Sequence, residues 1–181
     1  MQSRPLVDLR VGDKASFTKT ITETDVALYA AISGDFNPLH VDAEFAARGP
    51  FGERVAHGPL TLALAAGVLG TMLPGVGTVA LSMGADFRAP VRIGDTITAR
   101  AEVAALDLER NRATMALSWS NQAAETVASG EAVVSPPRRD MYGLGARLPS
   151  GQATGGLRPD AAAAVPTRPR RVPRCRAASS P

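Results

Sequence analysis

One cysteine, two histidines and few aromatic residues set the first limits on this 181-residue chain. Cys175 is the only cysteine, so an internal disulfide and a CxxC-type metal cluster are both excluded. Aromatics make up 4% of the residues against 45% hydrophobic, so aliphatic packing must supply the core. The opening MQSRPLVDLRVGDK lacks the apolar stretch of a secretory signal. With the lone thiol, this leads to the expectation of a reducing, cytoplasmic setting. Charge is missing altogether from residues 58 to 85. Pro74, Gly75 and Gly77 break that run before it reaches the roughly 20 residues a membrane span requires, so a core helix followed by a strand is expected.

The overall charge of +3 suggests an acidic partner until it is mapped along the chain. From Pro136 onward nine Arg face two Asp, which puts +7 in that segment and leaves −4 on residues 1 to 135. The mildly acidic part gives no sign of a specific nucleic-acid partner. Residues 136 to 181 also hold eight of the fourteen prolines and no periodic apolar pattern, and a disordered tail is expected there. One domain is expected over residues 1 to 135.

Alternation around Ala15, Phe17 and Ile21 predicts a first strand within 11 to 22. Thr22 and Asp25 have the spacing of a helix cap, and Gly34 is a plausible stop, so a helix is expected from 23 to 33. Pro38, Gly49, Pro50 and Gly52 make 35 to 56 mainly loop, with one short helix from Asp42 to Ala47. HGPLTLALAAGVLGTML, 57 to 73, is apolar on every side and reads as a helix buried all round. Strands are expected at 77 to 89, 94 to 106, 111 to 121 and 124 to 135. In the second of these, Ile97, Ala99, Ala101 and Val103 share one face. One long helix and about five strands predict an α+β fold, a curved antiparallel sheet wrapped around the helix.

The chemistry gathers in GDFNPLH, residues 34 to 40. Both histidines, His40 and His57, fall within 35 to 57, close to Asp35. Imidazole titrates near neutrality and can move a proton either way. On one continuous helix Asp35 and His40 would diverge, but Pro38 disfavours helical geometry at Asn37, and an irregular loop lets them converge. Asn37 could orient a water or fix the loop through backbone hydrogen bonds. Taken alone, the stretch is also ordinary turn chemistry. The "HGP" that follows opens the apolar helix, where free N–H groups and the positive end of the helix dipole collect. Gly58 N–H could polarise a carbonyl there, while Asp35 and His40 hold and deprotonate a water. No metal is required, and His57 is expected to cap or pack at the helix start.

From Tyr29 to Gly75 these residues resemble the MaoC-type, or R-specific, enoyl-coenzyme A hydratases, through the order G-D-x-N-P-x-H, the step from Asp35 to His57 and the apolar helix. The similarity extends over roughly residues 5 to 135. It implies a single hot-dog domain, a homodimer pairing two sheets edge to edge, Asp35 and His40 as the catalytic pair, and Gly58 as the oxyanion donor. It also implies reversible hydration of trans-2-enoyl thioesters to the R-3-hydroxyacyl form, with coenzyme A as part of the substrate and no further cofactor. Family members often carry a serine where this chain reads Ala65, Ala66, Gly67, so Ala66 marks a departure in a supporting position. Ala63, Ala66 and Gly67 could leave depth for an acyl chain or serve close packing. A dehydratase acting on acyl-carrier-protein substrates remains open, with Arg48, Arg54, Arg88 and Arg92 as candidates to meet an acidic carrier or coenzyme A phosphates. A hot-dog thioesterase and a non-catalytic acyl-thioester binder are further alternatives. No membrane partner is expected.

Overall fold

Thr22 and Asp25 form a reciprocal cap: the Asp25 N–H donates to the Thr22 hydroxyl at 3.2 Å and the Thr22 N–H to the Asp25 carboxylate at 2.9 Å. They open α1 (Glu23–Ser33), which ends where Gly34 turns left-handed at φ 75° and donates back to Ala30 O. A side chain at that φ is strained, so glycine suits the stop. The computed structural model describes residues 1–139, and the tail expected over 136 to 181 lies outside the described residues from 140 onward.

The remaining elements are a 3₁₀ turn (Leu6–Asp8), β1 (Lys14–Thr20), α2 (Pro38–Val41), α3 (Ala43–Ala47), α4 (Gly58–Thr71), β2 (Val79–Phe87), β3 (Thr96–Asp107), β4 (Arg112–Ser120) and β5 (Thr126–Ser135). The region 35 to 56 therefore holds two short helices rather than one. Gly34, not Pro38, ends α1, and Pro38 opens α2, with Asn37 as its cap. Proline is at home in a first turn, where its missing N–H costs nothing.

All strand pairs are antiparallel, in the order β1-β3-β4-β5-β2. The even spacing of side chains sends Ile97, Ala99, Ala101 and Val103 of β3 and Ala113, Met115, Leu117 and Trp119 of β4 to the same buried face. Thr61, Leu64, Ala65, Val68 and Leu69 of α4 are buried in the same core. Alanines 99 and 101 leave room for the helix, and Trp119 fills much of what remains. Each fully buried Leu-sized side chain contributes roughly 1.5–3 kcal/mol. This is the sheet-around-helix arrangement of a hot-dog fold.

The expectation of a helix buried all round is corrected in one respect. The sheet covers only one side of α4, so Pro59, Ala63 and Ala66 are exposed on the other. A second exposed apolar surface is β2, an edge strand whose residues are open on both faces apart from Ala85. Val79, Leu81 and Met83 are 58%, 49% and 43% exposed. No helix among the described residues is long and apolar enough to cross a membrane.

Candidate active site

Past Gly34 the chain is held by a short ladder of side-chain bonds. The Ser33 hydroxyl donates to Tyr29 O and accepts the Asp35 N–H, and the Asp35 carboxylate accepts the Asn37 N–H at 3.2 Å. Asn37 in turn accepts from Leu39 N–H at 3.1 Å, starting α2. Asn37 is thus a loop-fixing residue, one of the two roles its sequence position allowed.

α2 carries His40, which is 9% exposed. Its Nδ1 lies 2.7 Å from the Val55 carbonyl oxygen. A carbonyl only accepts, so Nδ1 bears the hydrogen, and Nε2 of the neutral ring carries the free lone pair. His57 is placed by the same rule. Its Nε2 lies 2.9 Å from the backbone oxygen of Asp35 and must donate to it. The bond spans the 22 residues from loop to helix start and fixes the segment bearing Asp35 against α4. The His40 and His57 rings stack with centroids 3.9 Å apart, and Tyr29 lies 4.9 Å from His57 on the α1 side. His57 therefore packs at the start of α4; its side chain makes no capping bond there.

Asp35, His40 and His57 each offer a ligand-type atom within 4.8 Å of the others. In this set His57 Nε2 is already donating to a carbonyl and His57 Nδ1 is buried without a partner among the described residues, which leaves the exposed Asp35 carboxylate and His40 Nε2 to hold a water.

Beside His40 opens a cavity of about 430 Å³ between the start of α4, the end of β2 and the segment following it. Val55, Val91 and Val127 make much of its wall apolar, and Phe51 and Phe87 flank it. Gly58 lies in the wall as the first residue of α4, and its N–H has no acceptor among the described residues. A methyl on Gly58 would come within 2.5 Å of Phe87 Cζ, so a larger residue would displace that ring. Pro59 follows and has no N–H to offer.

Phe87 and Thr61 are among the residues of this region that were not singled out from sequence. Phe87 belongs to the wall through strand pairing that sequence spacing does not reveal. Thr61 also lines the cavity, yet its hydroxyl is buried and has no partner among the described residues. An orphaned hydroxyl costs about 1–3 kcal/mol. As the first polar side chain after His57 in an apolar run, it offered a signal that could have been followed. Of the other expected positions, Ala66 lies on the exposed face of α4, as does Ala63, and neither lines the cavity. Arg54 pairs with Glu23 and Arg92 with Glu53, whereas Arg88 lines the cavity and, among the described residues, pairs only with exposed Asp86.

Residues 9–124 match the family described as MaoC like domain. The 3-hydroxybutyryl-CoA dehydratase of Methylorubrum extorquens is 46% identical over 81% of this chain and 93% of its own. The (R)-specific enoyl-CoA hydratase of Rhodospirillum rubrum is 42% identical over 73% of this chain and 91% of its own. Among solved structures, an R-hydratase from Pseudomonas aeruginosa superposes with a TM-score of 0.72 at 43% identity, covering 76% of this chain and 88% of that one.

Proposed function

The chain belongs to the MaoC-like domain family, and from that premise we propose that it is a hydro-lyase, adding water reversibly across trans-2-enoyl-coenzyme A to give the (R)-3-hydroxyacyl thioester. One observation carries the reading: His40 Nε2 is left free by the Nδ1 bond to Val55 O, in a cavity that also presents the uncommitted N–H of Gly58.

The roles follow from the geometry. Water held by Asp35 and His40 gives a proton to this pair as its oxygen bonds to C3. The C2=C3 electron pair moves towards the thioester oxygen, where the Gly58 N–H and the positive end of α4 stabilise the developing charge. The pair then returns a proton to C2, completing the addition. Asn37 holds the loop, His57 ties it to α4, and Ala66 takes no part in the chemistry. Beyond the coenzyme A carried by the substrate, the reaction draws on no cofactor and no metal.

Hydration of crotonyl-coenzyme A, followed by loss of the enoyl-thioester absorbance and chiral analysis of the product, tests this reading. Asp35→Asn and His40→Ala should each lower kcat by about 10²–10⁴-fold. Full activity in both variants, or release of free thiol as the main outcome, would overturn it. Arg88 at the cavity supports a second substrate form, an acyl-carrier-protein thioester dehydrated in the reverse direction. Relative rates on the two carriers decide between them.

The same reading takes the chain as a homodimer joined through β2, whose open edge and apolar side chains call for a partner strand. It places the enzyme in the cytoplasm, with no membrane or specific nucleic-acid partner.

A further inference from the structure

We infer that Thr61 is a second hydrogen-bond donor to the thioester oxygen, acting beside the Gly58 N–H; this rests on the hydratase reading above. A helix start ordinarily presents several free N–H groups in succession. In α4 the second is missing because Pro59 occupies that position, so of the first two helical residues only Gly58 offers an N–H. Thr61 comes three residues after Gly58, which brings both to one helix face a turn apart, and both line the cavity that holds His40.

The state of the hydroxyl is the telling observation. A helical threonine ordinarily donates to the carbonyl four residues back. Thr71, in the same helix, does so, its Oγ1 donating to Gly67 O at 2.6 Å. Thr61 does not. His57 O accepts the Thr61 N–H, at 3.3 Å, and the hydroxyl is left buried without a partner among the described residues, as is His57 Nδ1. The rest of the wall offers little else: the valines cannot donate, His40 is used by Val55 O and the water, and the Arg88 guanidinium is more than half exposed and directed to Asp86. The Thr61 hydroxyl oxygen is itself covered, so a turn about the Cα–Cβ bond brings it to the cavity that Thr61 lines, where its acceptor arrives with the substrate. It moves no proton: as the C2=C3 pair shifts to the thioester oxygen, the Thr61 O–H shortens its bond to that oxygen and releases it when C2 is protonated.

Thr61→Val removes the hydroxyl at nearly constant shape, and Thr61→Ser keeps it. With crotonyl-coenzyme A, Thr61→Val should lower kcat about 10²-fold with little change in KM, and Thr61→Ser should restore most of the rate. The melting temperature of Thr61→Val should hold or rise, because an orphaned polar group has been replaced by a methyl. The infrared carbonyl band of bound butyryl-coenzyme A, which cannot be hydrated, should lie higher in Thr61→Val than in the unaltered protein. An unchanged carbonyl band overturns the inference even if the rate falls, since the hydroxyl would then act elsewhere; so does full kcat in Thr61→Val. Unaltered protein that hydrates no enoyl thioester instead defeats the hydratase reading, and the Thr61 role with it.

Discussion

A carbonyl oxygen decides what each histidine can do. Val55 O holds the hydrogen of His40 on Nδ1 and so leaves the lone pair on Nε2, whereas Asp35 O holds the hydrogen of His57 on Nε2 and leaves its Nδ1 buried without a partner among the described residues. Two stacked, chemically identical rings are thereby assigned different tasks. His57→Phe tests the assignment, because phenylalanine keeps an aromatic face for His40 and Tyr29 but cannot hold the Asp35 carbonyl. We expect a folded protein by circular dichroism with kcat about 10–10²-fold lower, since a misplacement of about 1 Å is enough for such a loss. An unaltered kcat would show that the tether does not position Asp35. Gly58→Ala belongs to the same scale. The added methyl meets Phe87 within the cavity, so kcat/KM should fall while the melting temperature changes little, and Phe87→Ala in the same chain should recover part of the loss.

Among the elements, α1 shows how far local chemistry reaches. Its bounds and cap were legible in the sequence because Thr22, Asp25 and Gly34 act on neighbours within four residues. Burial disfavours ionised Asp25, but bonds from the Thr22 hydroxyl and N–H and the nearby Lys19 outweigh it and hold the carboxyl below its ordinary value. A folded-state pKa lowered in this way stabilises the protein above the unfolded value, near 4, and the contribution disappears as pH falls through the folded value. Asp25→Ala should therefore cost about 1 kcal/mol at neutral pH by chemical denaturation, with the difference from the unaltered protein shrinking below about pH 4. A difference that grows on acidification would contradict the cap's role. The inward face of β3 was likewise readable, from alternation, whereas the order of the strands in the sheet was not. What was not readable depends on distant partners: α2, a four-residue helix, is stabilised by the His40 bond to Val55, fifteen residues on. Similarly, α4 is apolar all round in sequence, yet which side is covered depends on its packing against the sheet, chiefly β3 and β1.

At the scale of the whole molecule, the small-residue side of α4 and the edge strand β2 are among the apolar surfaces left open, and β2 is where the second copy is proposed to sit. Light scattering should give twice the chain mass, and Met83→Lys, which puts a charge on the edge, should shift the protein to the monomer mass. A monomeric unaltered protein would refute the pairing. The site itself was half legible at this scale: Asp35, His40 and Gly58 could be named because they crowd into one short window. Phe87 and Val127 could not, because strands β2 and β5 bring them to the cavity from far along the chain. Phe87 has a double position, closing the wall at one end of the strand whose edge is open to the second copy. Catalytic output should then obey mass action: on serial dilution, specific activity should fall with the same midpoint as the loss of dimer, and added crotonyl-coenzyme A should move both midpoints to lower protein concentration.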